Sequence, residues 1–325
     1  MLGDNRRCDG KNSETTGGCV GPLDDIKPFQ DCSFCQMIAR VFPRITKATP
    51  NDALAFYGPP PMFLPEITEV HVSVAFTYDM NHAEWLAGQW HHIAPVKLGG
   101  PAFNEPGKAF VPGRYLKNGY VITSRGCPNK CWFCSVWKRE NGVNELEINN
   151  GWNVLDDNLL ACSEQHIRSV FKMLKSQSKK VEFTGGLEAA ILKEWHVDLL
   201  ADLKPAQMFF AYDTPDDYEH LVNVSKMLKR AGFSRNQMRC YVLIGHPKDT
   251  ISMAKKRLYQ CLKLDYFPMA MLWRNKKGEV DVDWSKFQRE WARPAIISQK
   301  YKLAKKINKE AVERRLTKQG VSTVE

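Results

Sequence analysis

Three cysteines lie on one short stretch of the chain: Cys127, Cys131 and Cys134. Thiolates are soft ligands that favour zinc, copper(I) and iron–sulfur clusters. A structural zinc site normally takes four ligands, often as two close pairs, and no second close pair follows this one. The bacterial ferredoxin spacing also differs. Three thiolates on one loop would leave one iron of a cubane [4Fe–4S] cluster without a protein ligand, and a small molecule could bind there.

The context of these cysteines resembles that of a known family. A C-x3-C-x2-C motif after a probable strand at 120–123, with Phe133 just before the last cysteine, is similar to the signature of the radical S-adenosylmethionine (SAM) enzymes. The resemblance implies that Cys127, Cys131 and Cys134 hold a [4Fe–4S] cluster whose open iron chelates SAM. It also implies that Phe133 packs near the adenine and that SAM is cleaved to a 5′-deoxyadenosyl radical. The alternatives are a zinc knuckle or three incidental core cysteines.

Strand and helix patterns alternate through the region that must position this loop. The candidate strands are residues 120–123, 181–184, 207–212, 238–244 and 268–273. Apolar residues at helical spacing predict helices between them. Thr214 is the predicted N-cap of one helix, and Asp249 or Thr250 that of the next.

This alternation predicts an α/β fold with a parallel sheet. Together with the resemblance, it implies a partial (β/α)6 TIM-like barrel of radical SAM type over residues 116–275, with chemistry at the carboxyl ends of the strands.

Three of these strands end in residues that the resemblance assigns to SAM. The pair Gly185-Gly186 is similar to the family's Gly-Gly-Glu segment, which binds the SAM amino group, although Leu187 separates the pair from Glu188. Asp213 is the candidate for the ribose hydroxyls, and Gly245 for close backbone approach beside the adenine. The alternatives are a simple strand-to-helix turn for the glycines and helix capping for Asp213.

The segment Asp156-Asp157-Asn158 resembles an acidic segment in the cobalamin-type branch of the same family. It could equally cap and solvate a turn. Cys162 and Cys240 are interpreted as small buried residues.

Residues 66–115 form a truncated Rossmann-like piece in this interpretation. Apolar residues alternate from Val70 to Phe76, a helical stretch follows, and a short second strand covers 96–98. This βαβ pattern resembles the later half of the cobalamin-binding domain that precedes many radical SAM barrels. The Asp-x-His-x-x-Gly motif of that domain is missing, so we predict that neither His82, His91 nor His92 coordinates cobalamin.

Residues 1–65 are rich in cysteine and proline. Cys32 and Cys35 form a close pair that could hold a second metal, with Cys8 and Cys19 as further ligands. The prolines that follow predict an N-terminal arm without a core of its own.

Composition and cysteine usage place the protein in a reducing compartment. The chain is 43% hydrophobic and 25% charged, which is ordinary for a globular protein. No apolar run reaches the roughly 20 residues that span a bilayer, and the first residues lack a secretory signal. We therefore predict a cytoplasmic protein without membrane contact, reduced by a donor such as flavodoxin or ferredoxin.

The net charge of +10 is concentrated in a predicted basic helical tail, residues 276–325. Residues 299–318 carry eight Lys or Arg against Glu310 and Glu313. Such a run binds nucleic acid or forms a solvated helical face.

Three functional hypotheses follow. The first is a radical SAM enzyme that abstracts hydrogen from an unknown substrate. The second, from a different class, is a zinc-stapled nucleic-acid-binding protein, in which the cysteines are metal staples and the tail is the electrostatic footprint. The third is a radical SAM enzyme that modifies RNA or DNA.

Overall fold

The first of two parallel sheets is built from the N-terminal part of the chain. A computed structural model describes residues 37–107, 109–275 and 277–318. The strands of this sheet are β1 (Ile38–Phe42), β2 (Ala55–Tyr57), β3 (Glu69–Ser73) and β4 (Val96–Gly99), in the order β2-β1-β3-β4. Helix α1 (Met80–Trp90) connects β3 to β4 and buries Leu86 and Trp90 against the sheet. Each strand pairs with its neighbours in parallel.

Strands β1 and β2 differ from the arm predicted for residues 1–65. Arg40 interrupts the apolar residues of β1, and β2 has only three residues, so neither shows a clear strand pattern. The structure buries Arg40 because its guanidinium donates to the carbonyls of Gly113 and Arg114, both at 2.9 Å, and pairs with Asp52. Residues 38–57 therefore share the core of β3 and β4.

The second sheet follows along the chain, with its crossover helices. The strands from residue 120 onward are β5 (Tyr120–Val121), β6 (Ser124–Arg125), β7 (Asn144–Glu145), β8 (Asn153–Val154), β9 (Glu182–Phe183), β10 (Gln207–Ala211), β11 (Met238–Ile244) and β12 (Phe267–Leu272). The helices are α2 (Val136–Arg139), α3 (Glu164–Lys175), α4 (Glu194–Leu203), α5 (Asp217–Arg230), α6 (Ile251–Lys263), α7 (Val282–Glu290) and α8 (Pro294–Lys318).

Six of these strands form one parallel sheet in the order in which they occur in the chain. From one edge to the other they are β5, β8, β9, β10, β11 and β12, whereas β6 and β7 form a separate antiparallel hairpin. The two edge strands, β5 and β12, do not pair with each other in the described part of the chain, so this sheet is open. The fold is thus α/β with parallel sheets, as predicted.

Two crossover helices begin with the expected chemistry. The side chain of Ser163 accepts a hydrogen bond from His166 N at the start of α3, at 3.2 Å. Thr250 does the same for Met253 N at the start of α6, also at 3.2 Å, which confirms Thr250 as an N-cap.

Helix α5 begins later than the sequence suggested. Thr214 does not cap it, because the carboxylate of Asp217 accepts from the backbone N–H of both Asp213 and Thr214, at 2.9 and 2.7 Å. The side chain of Asp217, in the first turn of the helix, therefore takes the place of the predicted cap.

The start of α8 packs onto the second sheet's layer of helices. Trp291 and Ile297 are 1% exposed and belong to the same core as the six-stranded sheet, and Ala304 is also buried. The hydroxyl of Tyr301 donates to Asp265, which follows α6, at 2.5 Å. The first half of the predicted tail is therefore part of the fold. None of the helices in the described ranges is long and apolar enough to cross a membrane.

Candidate functional site

Most of the predicted site residues lie just beyond the carboxyl ends of the six parallel strands. The cysteine loop follows β5 and β6, and the other segments follow β8, β9, β10 and β11; they are Asp156–Asn158, Gly185–Glu188, Asp213 and Gly245. Carboxyl ends of parallel strands meet at one edge of a sheet, which is where α/β proteins bind ligands. The fold therefore brings the candidates to a common edge.

The cysteine loop is a turn held by its own backbone and by a tryptophan. Cys127, Cys131 and Cys134 are free thiols, each partly exposed. The N–H of Cys134 donates to the carbonyl of Cys131 at 3.1 Å, and the indole N–H of Trp137 donates to the same carbonyl at 3.0 Å. The N–H of Val136 donates to Cys134 Sγ at 3.4 Å. All three sulfur atoms thus sit on one ordered loop.

Gly126 allows the chain to enter this loop. Its φ is +89°, and a Cβ there would lie 1.8 Å from the carbonyl oxygen of Gly142. No side chain fits in that space, so glycine is required where the loop folds back on the β6–β7 hairpin.

Two carboxylates beyond β8 anchor the entry to the loop. Asp156 is buried and accepts from Thr123 N at 2.6 Å, from Thr123 Oγ1 at 2.5 Å and from Ser124 Oγ at 2.8 Å. Asp157 accepts from Gly126 N at 2.9 Å and pairs with Arg139 at 3.2 Å. Burial raises the pKa of Asp156, and its hydrogen bonds oppose that rise. These acids hold the strand-to-loop junction rather than merely solvating a turn.

Asn158 joins the cysteine loop to the segment beyond β9. Its Nδ2 donates to Cys127 Sγ at 3.3 Å and to Glu188 Oε2 at 2.5 Å. Its Oδ1 is buried and has no hydrogen-bond partner among the described residues. Asn158 was predicted only as part of an acidic segment, and this bridge was not expected. A run of three polar side chains was the only available signal, because the strand that precedes it was not predicted.

The two glycines of the Gly185-Gly186 pair differ in what surrounds them. A Cβ on Gly185 would lie 2.3 Å from the carbonyl oxygen of Asp156, so Gly185 lets two backbones pack together. Gly186 has a φ of +104°, and a Cβ there would meet nothing closer than 3.9 Å. Only the space beside Gly186 is open to a ligand.

The space beside Gly245 is filled by other side chains of the protein. A Cβ there would lie 2.7 Å from Leu272 Cδ1 and 3.0 Å from the ring of Trp284 on α7. Its φ of +74° also favours glycine. Both features explain the glycine without a ligand.

Asp213 is a partly buried carboxylate at the same edge. Its Oδ1 accepts from Leu243 N on β11 at 3.0 Å. Burial raises its pKa to about 6. Its side chain does not cap α5, since Asp217 has that role.

Aromatic rings connect the cysteine loop to the loop after β11. Trp132 packs edge-on against Phe133, with ring centroids 5.4 Å apart, and against His246 at 5.2 Å. Phe133 is partly buried, whereas Trp132 is 55% exposed.

Burial and neighbouring charges both act on the thiols of the cysteine loop. Burial raises the pKa of Cys131, and the charges of Cys134 and Cys127 raise it further. Burial also raises the pKa of Cys134. Among the residues with described positions, no three His, Cys, Asp or Glu side chains converge as ligands of one metal ion would. A cubane binds each thiolate through a different iron, so its ligands need not converge on one point.

The remaining cysteines and histidines lie elsewhere. Cys8, Cys19, Cys32 and Cys35 fall outside the described residues. Cys240 is buried as predicted, and Cys162 is partly buried with a pKa that burial raises to about 11. His82 lies on α1, and His91 and His92 follow it directly.

Comparison with protein-family models gives no match for the chain, and comparison with curated proteins gives none either.

Proposed function

We propose that this protein is a radical SAM enzyme that reductively cleaves SAM at a [4Fe–4S] cluster and uses the resulting 5′-deoxyadenosyl radical to abstract hydrogen from a substrate. The observation that carries the proposal is the position of three free thiols. Cys127, Cys131 and Cys134 share one ordered loop at the carboxyl edge of a parallel sheet. Gly186 and Asp213 lie at the same edge, where a bound nucleoside would need them.

The proposal includes a partial (β/α)6 barrel. Each strand of the six-stranded sheet adds next to the previous one, at the same edge. Because crossovers between parallel strands are right-handed, this order favours helices on one face of the sheet. A parallel sheet covered in this way tends to curl toward its other face. The connection between β5 and β8 departs from the pattern, because it contains the cysteine loop and only the four-residue helix α2.

The residues present fit such a cluster. The donor set is three thiols on one loop, and two N–H groups already point at their sulfur atoms: Asn158 Nδ2 at Cys127 and Val136 N at Cys134. Hydrogen bonds to thiolate sulfurs are one of the means by which proteins set cluster potentials. When bound, the cluster would supply the electron that cleaves SAM.

The chain's own groups would bind and orient SAM. The backbone beside Gly186 is open to the SAM amino group, and Glu188 lies next to it, fixed by Asn158. Oδ2 of Asp213 has no hydrogen-bond partner in the described ranges and could accept from a ribose hydroxyl. Phe133 and Trp132 would cover the loop from water. Gly245 is occupied by Leu272 and Trp284, which favours a packing role for it.

The test is anaerobic reconstitution with iron and sulfide, reduction with dithionite, and measurement of 5′-deoxyadenosine formed from SAM. We expect a brown protein that forms 5′-deoxyadenosine, and Cys131→Ala to lose both properties. Cys162→Ala is the matched control, since Cys162 lies outside the loop and should change neither. A colourless zinc protein, or full activity in Cys131→Ala, would reject the proposal.

The electron donor and compartment are part of the same proposal. A low-potential protein such as flavodoxin or ferredoxin would reduce the cluster in the cytoplasm. Modification of RNA or DNA is the second candidate, and the basic residues of α8 favour it. A zinc-stapled nucleic-acid-binding protein is the alternative outside the enzyme class, and two of its candidate ligands, Cys32 and Cys35, fall outside the described residues.

A further inference from the structure

A cavity of about 530 Å³ lies at the carboxyl edge of the four-stranded sheet. The last residues of three parallel strands line it: Phe42 of β1, Ser73 of β3 and Gly99 of β4. Residues 105–107, 109–111 and 114–116 also line it, together with Ile122 and Arg125. Pockets of this size at this edge of a parallel sheet are common ligand sites.

The wall of this cavity is mainly apolar. Its apolar side chains include Phe42, Ala75, Leu98, Phe110 and Ile122. An apolar wall of this kind binds a hydrocarbon or aromatic body, and the few polar groups then determine which ligand is accepted.

Two of the charged pairs at the cavity are already satisfied. Arg44 donates two hydrogen bonds to the carboxylate of Asp79, at 2.8 and 2.7 Å. Lys97 pairs with Glu69. Neither pair leaves a net charge for a ligand.

Arg125 is the exception. It is partly buried, its Nε is inaccessible to water, and no described residue hydrogen-bonds its side-chain nitrogens or forms an ion pair with them, although the carboxylates of Asp157 and Glu140 are near enough for their charges to act on it. Buried guanidinium groups are normally paired, because an unpaired charge away from water costs free energy. The exposed Arg114 also lines the cavity and adds positive charge, whereas Glu105 in the lining and Asp157 and Glu140 around Arg125 add negative charge.

We propose that this cavity binds a small organic anion, whose apolar body lies against the sheet edge and whose carboxylate or phosphate group pairs with Arg125. A guanidinium presents two parallel N–H donors that match either group. Anion binding here does not require the cluster, because all the residues named for it line the cavity. Since Arg125 is followed by Gly126 and Cys127, a bound anion would lie beside the start of the cysteine loop.

The test uses two probes that differ in one group. 8-Anilinonaphthalene-1-sulfonate has an apolar body and one anionic group, and N-phenyl-1-naphthylamine is the same body without the sulfonate. Binding of each to the full chain is measured by equilibrium dialysis. We expect one site that prefers the anionic probe, and Arg125→Gln to weaken that probe by about tenfold while leaving the neutral one unchanged.

Two further variants make the result decisive. Arg230→Gln removes an exposed arginine on α5 and should change neither affinity. Ala75→Trp should fill the cavity and abolish binding of both probes; since Ala75 is exposed, this variant should fold, as circular dichroism would verify. Equal affinity for the two probes, no effect of Arg125→Gln, unchanged binding in Ala75→Trp, or no binding by the wild type would each overturn the proposal.

Competitors then distinguish the two anionic groups. 1-Naphthoate and 1-naphthyl phosphate are added in turn to the dialysed complex. Displacement by one of them supports the proposal and identifies its preferred group. Displacement by neither overturns it. The dialysis measures binding without any enzymatic turnover. A protein that forms no 5′-deoxyadenosine would therefore contradict only the proposed function, not the anion site.

Discussion

Asn158 Nδ2 donates a hydrogen bond to Cys127 Sγ at 3.3 Å, although the two residues are 31 positions apart in the chain. The same nitrogen donates to Glu188 at 2.5 Å, so one amide bridges the ends of β5, β8 and β9. A short polar side chain at this position therefore does two things. It fixes the first cysteine of the loop, and it provides an N–H for that sulfur.

Replacing Asn158 by Ala should make the bound cluster harder to reduce. A donor to a ligating sulfur stabilises the more negative, reduced form, so its removal lowers the reduction potential. If the whole of a typical hydrogen bond, about 1 kcal/mol, acts on the reduced form alone, the shift is about 40 mV. A redox titration followed by electron paramagnetic resonance measures it. Asn223→Ala, an exposed change on α5, is the control, and an unchanged potential in Asn158→Ala would contradict the assigned role.

The two glycines beyond β9 should fail in different ways when each is replaced by Ala. A Cβ on Gly185 would clash with the backbone at Asp156, which cannot move cheaply, so we expect a decrease of about 1–3 kcal/mol or more in the free energy of unfolding. Because Asp156 anchors the cysteine loop, iron content should fall as well.

Gly186→Ala meets open space but a strained φ of +104°, so it should cost about 1–3 kcal/mol and keep its iron. Its affinity for SAM, measured by calorimetry, should fall. Thermal unfolding, iron analysis and SAM binding on both variants separate these outcomes. Normal iron in Gly185→Ala, or normal SAM binding in Gly186→Ala, would show that the roles are misassigned.

The charged carboxylate of Asp213 should lower the free energy of unfolding at neutral pH. Burial raises its pKa from an ordinary value near 3.8 to about 6 in the folded protein, so folding favours the neutral carboxyl group. Stability therefore falls as the pH rises from about 4 to about 6, and the decrease persists above that range. The difference between a pKa of 3.8 and one of about 6 corresponds to a decrease of about 3 kcal/mol in the free energy of unfolding.

Asp213→Asn should accordingly stabilise the protein at pH ~7.5, and the gain should shrink toward zero near pH ~4. The amide oxygen of Asn can still accept from Leu243 N, so the local fold is preserved. Urea unfolding at several pH values measures the difference, with the exposed Asp216→Asn as the control. A variant with the same stability as the wild type at every pH would contradict the raised pKa. If Asp213 also binds the ribose, the stabilised variant should bind SAM more weakly.

Most of the second sheet was predictable because its longer strands are apolar and separated by clear helical patterns. The predicted strands at 207–212, 238–244 and 268–273 differ from β10, β11 and β12 by at most one residue at either end. Strand β8 was missed, since it has two residues, and one of them, Asn153, is a buried polar residue that donates to Glu182 at 3.0 Å. A period cannot be recognised in so short a segment.

The candidate site was predictable in its residues but not in its connections. The spacing of the cysteines placed three thiols on one loop, yet the bridge from Asn158 to Cys127 depends on an interaction between distant parts of the chain. Gly185 and Gly186 look equivalent in the sequence, and only the position of the Asp156 backbone separates them. The cavity beside Arg125 could not be predicted either, because β1 was not recognised as a strand.

Deletions in the C-terminal helix can distinguish a polyanionic substrate from a small one. The packing of the helix determines where the chain should be cut. Deletion from Pro294 onward would remove Ile297, Tyr301 and Ala304 and uncover Trp291. Since burying one such apolar side chain contributes about 1.5–3 kcal/mol, that protein should be several kcal/mol less stable. Deletion of residues 307–325 keeps these packed side chains and still removes the basic residues of the final turns.

We therefore expect the shorter deletion to retain SAM cleavage and, if RNA or DNA is the substrate, to reduce the salt dependence of binding. For each phosphate that the deleted residues would have neutralised, the log–log slope should become shallower by about 0.9 on duplex DNA and about 0.7 on single strands. Lys300, Lys302, Lys305 and Lys306 stay in the shortened protein and contribute to the residual slope, Lys300 and Lys305 less so because they pair with Glu290 and Asp265. Binding of labelled RNA and DNA oligomers across a salt series measures the change. If the intact chain shows no salt-sensitive binding, the nucleic-acid hypothesis fails, and the substrate is to be sought among small molecules and peptides.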